Sequence, residues 1–205
     1  MSQASKPHHF IRVSAGMRYD MEVWELFLKD FNGICYFSDL HWTSSVDLEL
    51  FTDACGNSDY GCGAYFQGRW CFLQWPSDLP CEVLKDITYL ELIPIMLALS
   101  VWGHLLNKKK ILFRTDNSSL VHIINTRSSK NDRVMNLIRQ LVLFTLKYGI
   151  QFKALHISST HNEITDAISR LQWDRLARLL PVGASLEPRE IPVSFLEIFN
   201  QKLTN

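Results

Sequence analysis

The order in which hydrophobic periodicity changes between residues 48 and 180 constrains the fold of this chain more than any other feature. Strand-like runs come first and lie close together. Leu48, Leu50 and Phe51 stand with Glu49, Thr52 and Asp53 in a run rich in strand formers. A polar, glycine-containing turn follows from Asp53 to Gly61, and two further strand-like runs, 61–67 and 69–75, meet across Gly68 as a hairpin. From there the period lengthens. A helix is expected at Thr88, with Glu91 three residues on as in a capping box; its apolar positions continue through Leu106, with a kink at Pro94 and a weak end at Gly103. Residues 111–115 read as a short strand, 117–125 as a short helix, 133–148 as a longer helix ended by Gly149, and 151–157 as a strand. A final helix is expected over 161–180, capped by Thr160 with Glu163 at the matching position. The order β-β-β-α-β-α-α-β-α predicts an α/β domain, a mixed sheet flanked by helices.

The flanks read differently. Residues 1–47 form a lead-in whose apolar positions 24, 27, 28 and 31 have helical spacing, with Asn32 and Gly33 as the stop. From residue 181, Pro181, Gly183, Pro188 and Pro192 predict a linker or tail. A chain of 205 residues, 47% hydrophobic and 20% charged, is long enough for one domain of ordinary size with a real core between these flanks. No internal repeat or low-complexity tract is present, and no secretory leader is expected at the start. The longest apolar stretch, 90–106, is interrupted by Glu91, Pro94, Ser100 and His104, which predicts a buried helix rather than a membrane span. Cysteines stand at 35, 55, 62, 71 and 81; an odd number without a closely spaced pair argues against a disulfide framework or a zinc site and predicts free thiols in a reducing, intracellular compartment. Formal net charge is zero, but the window from Lys108 to Lys153 holds ten Lys or Arg against two acids, Asp116 and Asp132. Such a window is either a solvated helix face or a surface that attracts polyanions.

Four acids fall on successive elements of the expected domain. Asp53 lies in or at the end of the first strand, where it ligates a cation or caps the following turn. Glu91 lies at the start of a nearly all-apolar helix, where it acts chemically or completes the capping box with Thr88. Asp116 ends a strand, the place where sites gather in open α/β sheets, and is also a good N-cap for the next helix. Asp166 falls beside the stripe of Ile164, Ile168 and Leu171, near enough to the helix start to complement its dipole. Each has a structural alternative. Together they match what phosphodiester hydrolysis by two cations requires, since hard cations take oxygen ligands and a pair of ions stabilises both the attacking and the leaving oxygen.

On these residues the chain resembles a type-1 ribonuclease H domain over about 48–172. The matching segments are Phe51-Thr-Asp-Ala with Gly61-Cys-Gly-Ala, then Leu90-Glu-Leu, Arg114-Thr-Asp-Asn, and His156 followed after nine residues by Asp166, with Asn162 four residues before it and Ala-Ile-Ser-Arg after it. The flanks His8-His-Phe-Ile-Arg12, Trp24 with Phe31-Asn-Gly33, and Leu171-Gln-Trp-Asp174 resemble those of this domain in DIRS-type retrotransposons, which place it after a reverse transcriptase. The resemblance implies a ribonuclease H-like fold with a five-stranded mixed sheet, three antiparallel strands followed by parallel ones. It also implies cleavage of the RNA strand of RNA–DNA hybrids with two Mg²⁺, or Mn²⁺, ions. By the same resemblance Asp53, Glu91, Asp116 and Asp166 are the cation-binding catalytic acids, and His156 is the mobile histidine that assists proton transfer or product release, with His161 in reserve. The partners implied are the hybrid and an upstream reverse transcriptase in the same polyprotein, with no membrane.

Asn117 and Thr88 are candidate polar contacts to nucleic acid, or caps. The 126–132 connection is too short for the extra basic helix with which some members grip substrate, which leaves Lys130, Arg133, Arg139 and Lys147 as basic contacts to phosphate. The turn after Asp53 also departs from the family, carrying Asn-Ser-Asp-Tyr at 57–60 in place of a glycine-rich run. Integrases and transposases of the same fold order their acids Asp, Asp, Glu; here Glu is second, which favours hydrolysis over strand transfer. No aromatic-x-Asp-Asp polymerase motif occurs. The alternative reading is a catalytically inactive nucleic-acid-binding relic of such an element.

Overall fold

The structure, a computed structural model, describes residue 10 and residues 12–30, 41–156 and 162–196. The chain falls into two compact units, Met1–Cys35 and Tyr36–Asn205. In the first, helix α1 spans Ala15–Asp30. The expected stop at Asn32 and Gly33 lies outside the described residues. The second unit contains strands β1 (Thr43–Ser44), β2 (Leu50–Ala54), β3 (Gly61–Phe66), β4 (Arg69–Gln74), β5 (Lys110–Thr115) and β6 (Gln151–His156). Its helices are α2 (Cys81–Leu84), α3 (Ile87–Trp102), α4 (Ser118–Thr126), α5 (Asp132–Lys147), α6 (Glu163–Ser169), α7 (Trp173–Leu179) and α8 (Val193–Leu196).

The unit is α/β, but the described strands form two three-stranded sheets rather than one sheet of five. One is antiparallel in the order β2-β3-β4 and the other parallel in the order β1-β5-β6. The cause is local. The segment before Asp53 breaks at residues 45–49, where the Leu50 N–H turns back to the Ser45 carbonyl at 2.7 Å and Glu49 adopts φ 51°. A non-glycine residue at positive φ cannot continue a strand. The piece before this turn pairs with β5 and the piece after it pairs with β3, so one stretch of chain serves both sheets.

Strand alternation divides the antiparallel sheet into two faces. Leu50, Cys62, Ala64, Phe66 and Cys71 join the main core with α3, the outermost contact being Phe66 on Trp102 at 5.6 Å between ring centroids. Tyr65 and Trp70 point the other way, into a smaller core with Ala167, Ile168 and Leu176 of α6 and α7. Helix α3 runs unbroken through Pro94, and its side chains from Leu92 to Leu99 are all buried. The span Ile87–Leu106 is long and apolar enough to cross a membrane by composition, yet most of it is buried inside this domain. The parallel sheet places Ile111, Phe113, Phe152 and Ala154 in the main core beside Leu120, Ile124, Val134 and Leu137 of α4 and α5.

Two further expectations are corrected. The helix expected over 161–180 is two helices, broken at 170–172, where Leu171 has φ 55°. Thr160, its expected cap, lies outside the described residues, and Asn162 occupies the N-cap position. The proline-rich segment after 180 is not a free linker over its described length. Ser185 N–H donates to Gly68 O and Arg189 N–H to Trp70 O, both at 2.7 Å, and Phe195 is buried in the main core. These bonds run along the outer edge of β4, which among the described strands pairs with β3 on its other side.

The seating of α6 depends on Gly63. A Cβ there would run into the side chain of Ile168, so only glycine lets α6 lie directly on β3. Gly63→Ala is therefore expected to lower stability by about 1–3 kcal/mol through overpacking, read as a fall of several degrees in the midpoint of thermal unfolding.

Candidate active site

Asp53 is in β2 opposite Gly63, on the face that receives α6. Its carboxylate is held from that helix: Ser169 Oγ donates to Oδ2 at 2.5 Å, and Asn162 Nδ2 donates to Oδ1 at 3.3 Å and to Thr52 O at 3.0 Å. The hydroxyl of Thr165 donates to Asn162 Oδ1 and fixes the amide orientation. Thr165 and Ser169 are fully buried, so this polar seam locks β2 to α6. Burial raises the Asp53 carboxyl to about 6; the Ser169 hydrogen bond opposes the shift, and the negative charges of Asp166 and Asp116 add to it.

Glu91 does not complete a capping box. Asp86 caps α3, accepting from Tyr89 N–H at 3.1 Å, and the Thr88 hydroxyl instead accepts from Asn117 Nδ2 at 3.5 Å. The Glu91 carboxyl takes the backbone N–H of Ala54 at the end of β2. Burial pushes it well above the ordinary carboxylate range, and the charges of Asp53 and Asp116 push it further; no cation is among the groups acting on it. A buried acid with acids for neighbours is costly to ionise unless a cation joins it.

Asp116 follows β5 and is exposed. It does not cap α4 either. That role belongs to Asn117, whose side chain accepts from Leu120 N–H at 3.0 Å. His156 ends β6 in register with Thr115, and its Nε2 lies 3.1 Å from the Asp116 carbonyl oxygen. His161 lies outside the described residues.

Asp166, in α6, is ion-paired with two arginines. Arg170 Nε lies 2.6 Å from Oδ1 and Arg175 Nη1 2.5 Å from Oδ2. Burial works to raise this carboxyl, but the hydrogen bonds and charges of Arg170 and Arg175 outweigh it and hold it below the ordinary range.

The structure thus gathers all four acids into one electrostatic neighbourhood, in which Asp53 acts on Glu91, and Asp166 and Asp116 act on Asp53. Among the described residues, no three His, Cys, Asp or Glu side chains stand together as a ready-made ligand set. Like charges without a cation repel, and Asp166 is engaged by its arginines. A Mg²⁺ ion, however, needs only one or two carboxylates, its other positions going to water and substrate phosphate. The acids are hard oxygen donors, and Glu91, desolvated and with no cation among the described residues acting on it, is the one whose ionisation such an ion would favour most.

The expected nucleic-acid contacts lie to one side of the acids. Asn131 caps α5 and donates to Asp86 Oδ2 at 2.6 Å, which joins the N-termini of α3 and α5. Lys130 precedes this junction and is exposed. The Arg133 guanidinium lies 6.0 Å from the Tyr89 ring, and its buried Nε has no hydrogen-bond partner. Arg139 lies roughly 9 Å farther along α5, six residues at 1.5 Å each, and donates to Asn136 Oδ1 at 3.2 Å. Lys147, at the far end of α5, lies over the Tyr148 ring at 5.6 Å. Arg133 and Lys130 therefore lie by the N-terminus of α3, whereas Arg139 and Lys147 stand farther along α5.

Sequence reasoning missed Ser169, Thr165, Arg170 and Arg175. Ser169 and Thr165 carried one readable sign, polar side chains adjoining the Ile164 and Ile168 stripe. Arg175 carried none, because in a continuous helix it would not meet Asp166. Comparison with known proteins found no family model and no curated protein that matches this sequence.

The raised carboxyl of Asp53 sets a pH dependence. Below about 3.8 both folded and unfolded chains hold the proton. As pH rises to about 6 the unfolded chain loses it first, so stability falls across that window and the loss is complete above it. Asp53→Asn is accordingly expected to match the parent near pH 4 and to exceed it by roughly 1–3 kcal/mol above pH 6 without divalent ions. Thermal unfolding at the two pH values checks this.

Proposed function

We propose that the unit Tyr36–Asn205 is a ribonuclease H-type nuclease that hydrolyses the RNA strand of RNA–DNA hybrids with two divalent cations. One observation carries this reading. Four carboxylates in the order Asp, Glu, Asp, Asp, from β2, α3, the end of β5 and α6, share one partly buried centre, in which no cation among the described residues acts on Glu91. None of the structural alternatives open to Glu91 and Asp116 is realised: Asp86 and Asn117 do the capping. Under this reading the two-sheet core is a ribonuclease H-like fold whose first strand is interrupted at residues 45–49.

Mg²⁺ or Mn²⁺ held by Asp53, Glu91, Asp116 and Asp166 would supply charge stabilisation at the scissile phosphate and a more acidic water. The protein's own groups do the rest. Ser169 and Asn162 fix the Asp53 carboxylate so that its lone pairs keep one direction. His156, exposed beside the Asp116 carbonyl, is placed to carry a proton between the centre and solvent. Arg133 and Lys130 meet phosphates on the α3–α5 side and set register, with Thr88 and Asn117 as polar contacts between them and the acids. Discrimination of the RNA strand rests on 2′-hydroxyls across a wide minor groove, which makes sequence preference low. Helix α1 exposes Met21, Trp24 and Leu28, as a helix made to pack on a neighbouring domain does, which supports a place beside a reverse transcriptase. One observation favours the alternative, an inactive hybrid-binding relic: both oxygens of Asp166 are engaged by arginines.

A labelled RNA–DNA hybrid with Mg²⁺, beside single-stranded RNA and duplex DNA, separates the two. Cleavage of the hybrid alone is expected, with Asp116→Asn lowering it by about a hundredfold or more and His156→Ala lowering kcat by at least about tenfold with KM little changed. Binding without cleavage by the folded parent would establish the relic; an Asp116→Asn variant as active as the parent would remove the nuclease centre from these acids.

A further inference from the structure

The break between α6 and α7 has a chemical result. In one continuous helix residue 175 would lie nine positions past residue 166, about 13 Å along the axis and on the opposite side. The chain instead reverses at 170–172. Leu171 takes φ 55°, its N–H bonds to Ile168 O at 3.0 Å, and Gln172 N–H bonds to Ala167 O at 2.9 Å. A bulky residue at positive φ is unfavourable on its own and has to be held by its surroundings. The held reversal starts α7 at Trp173 and returns Arg175 to Asp166, where its Nη1 lies 2.5 Å from Oδ2 and 2.9 Å from Gln172 Oε1. Arg170 takes the other oxygen at 2.6 Å. The two arginines differ in kind. Arg170 is four residues from Asp166 on the same helix, a pairing that any helix offers. Arg175 arrives only because the chain turns back.

We propose that Arg175 is a built-in counter-ion that occupies the place of a divalent cation at Asp166 and must leave before Asp166 can ligate one. This rests on the two-cation reading above. Arg175 Nη1 lies against Oδ2, so a hard cation approaching that oxygen meets a like charge at contact distance and competes with the guanidinium for the carboxylate. The pair is also easily exchanged: the side chains of Arg175 and Asp166 are 37% and 30% exposed, and ion pairs open to water are weak. Among the described residues no such ion pair is made by Asp53 or Glu91, on which the nearest cationic influence is the more distant charge of Arg170 on Asp53. Asp166 is therefore the ligand at which cation occupancy is regulated, and Arg175 sets the concentration of cation needed to fill it.

Binding of Mn²⁺, followed by its electron paramagnetic resonance signal without nucleic acid, tests this in the full chain, with circular dichroism confirming the fold of each variant. R175Q is expected to bind Mn²⁺ about three- to tenfold tighter than the parent, an amount in line with loss of a partly exposed competing ion pair. R175K, which keeps the charge but not the fork, falls between them. R178Q, on the same helix but bonded to the Asp174 carbonyl, behaves as the parent. In a D166N background R175Q has no further effect. If D166N weakens Mn²⁺ binding while R175Q leaves it unchanged or weaker, the counter-ion role is wrong and the two-cation reading stands. If no folded variant, nor the parent, binds Mn²⁺, the two-cation reading falls and the counter-ion role falls with it.

Discussion

The close approach of α6 to β3 at Gly63 is the constraint on which the rest of the site depends. Without a Cβ at that position, Ile168 rests against the strand itself. Everything else that α6 contributes follows from that distance. Ser169 reaches Asp53, Asn162 reaches both Asp53 and the neighbouring carbonyl, and Asp166 comes within the field of Asp53. On the other face of the same sheet, α3 brings Glu91 to the end of β2, where it takes the Ala54 amide. The antiparallel sheet is thus a partition with one helix on each side, and the acids meet where β2 ends.

The electrostatics of that meeting point are uneven. Asp53 and Glu91 are pushed toward their protonated forms by burial and by neighbouring acids, Asp166 and Asp116 acting on Asp53, and Asp53 and Asp116 on Glu91, whereas two guanidinium groups favour the ionised form of Asp166. Holding two largely desolvated acids beside other acids carries a cost, and apolar packing around them has to offset it. Leu90, Leu92 and Ile93, all but fully buried around Glu91, supply that packing. Under the proposed two-cation function, stability and chemistry are set against each other at this centre.

Much of the site was legible in linear order. The run ending in Asp53, the Leu90-Glu-Leu segment, Asp116 before Asn117, and the His156-to-Asp166 spacing each lie on the element expected for them, because strand and helix periods are local properties of the chain. Local rules also misled. Thr88 and Glu91 have the spacing of a capping box, yet Asp86 is better placed to take the Tyr89 N–H, and that choice leaves Glu91 for Ala54. The run from Leu48 to Asp53 reads as one strand, but pairing with β3 starts only at Leu50, and Thr43–Ser44, in the expected lead-in, already pairs with β5 before the turn at 45–49. The segment after 180 has the composition of a linker, but the outer edge of β4 offers it backbone partners and the core offers Phe195 a place.

The sequence by itself determined which residue types stand at which ends of which elements, since periodicity, turn chemistry and the order Asp, Glu, Asp, Asp are written in neighbouring residues. Only the tertiary structure decided what those acids face. Whether a carboxylate faces other acids, like Glu91, or is clasped by two arginines, like Asp166, depends on residues far away in the chain or beyond a reversal such as Leu171, brought near by packing that no local pattern encodes.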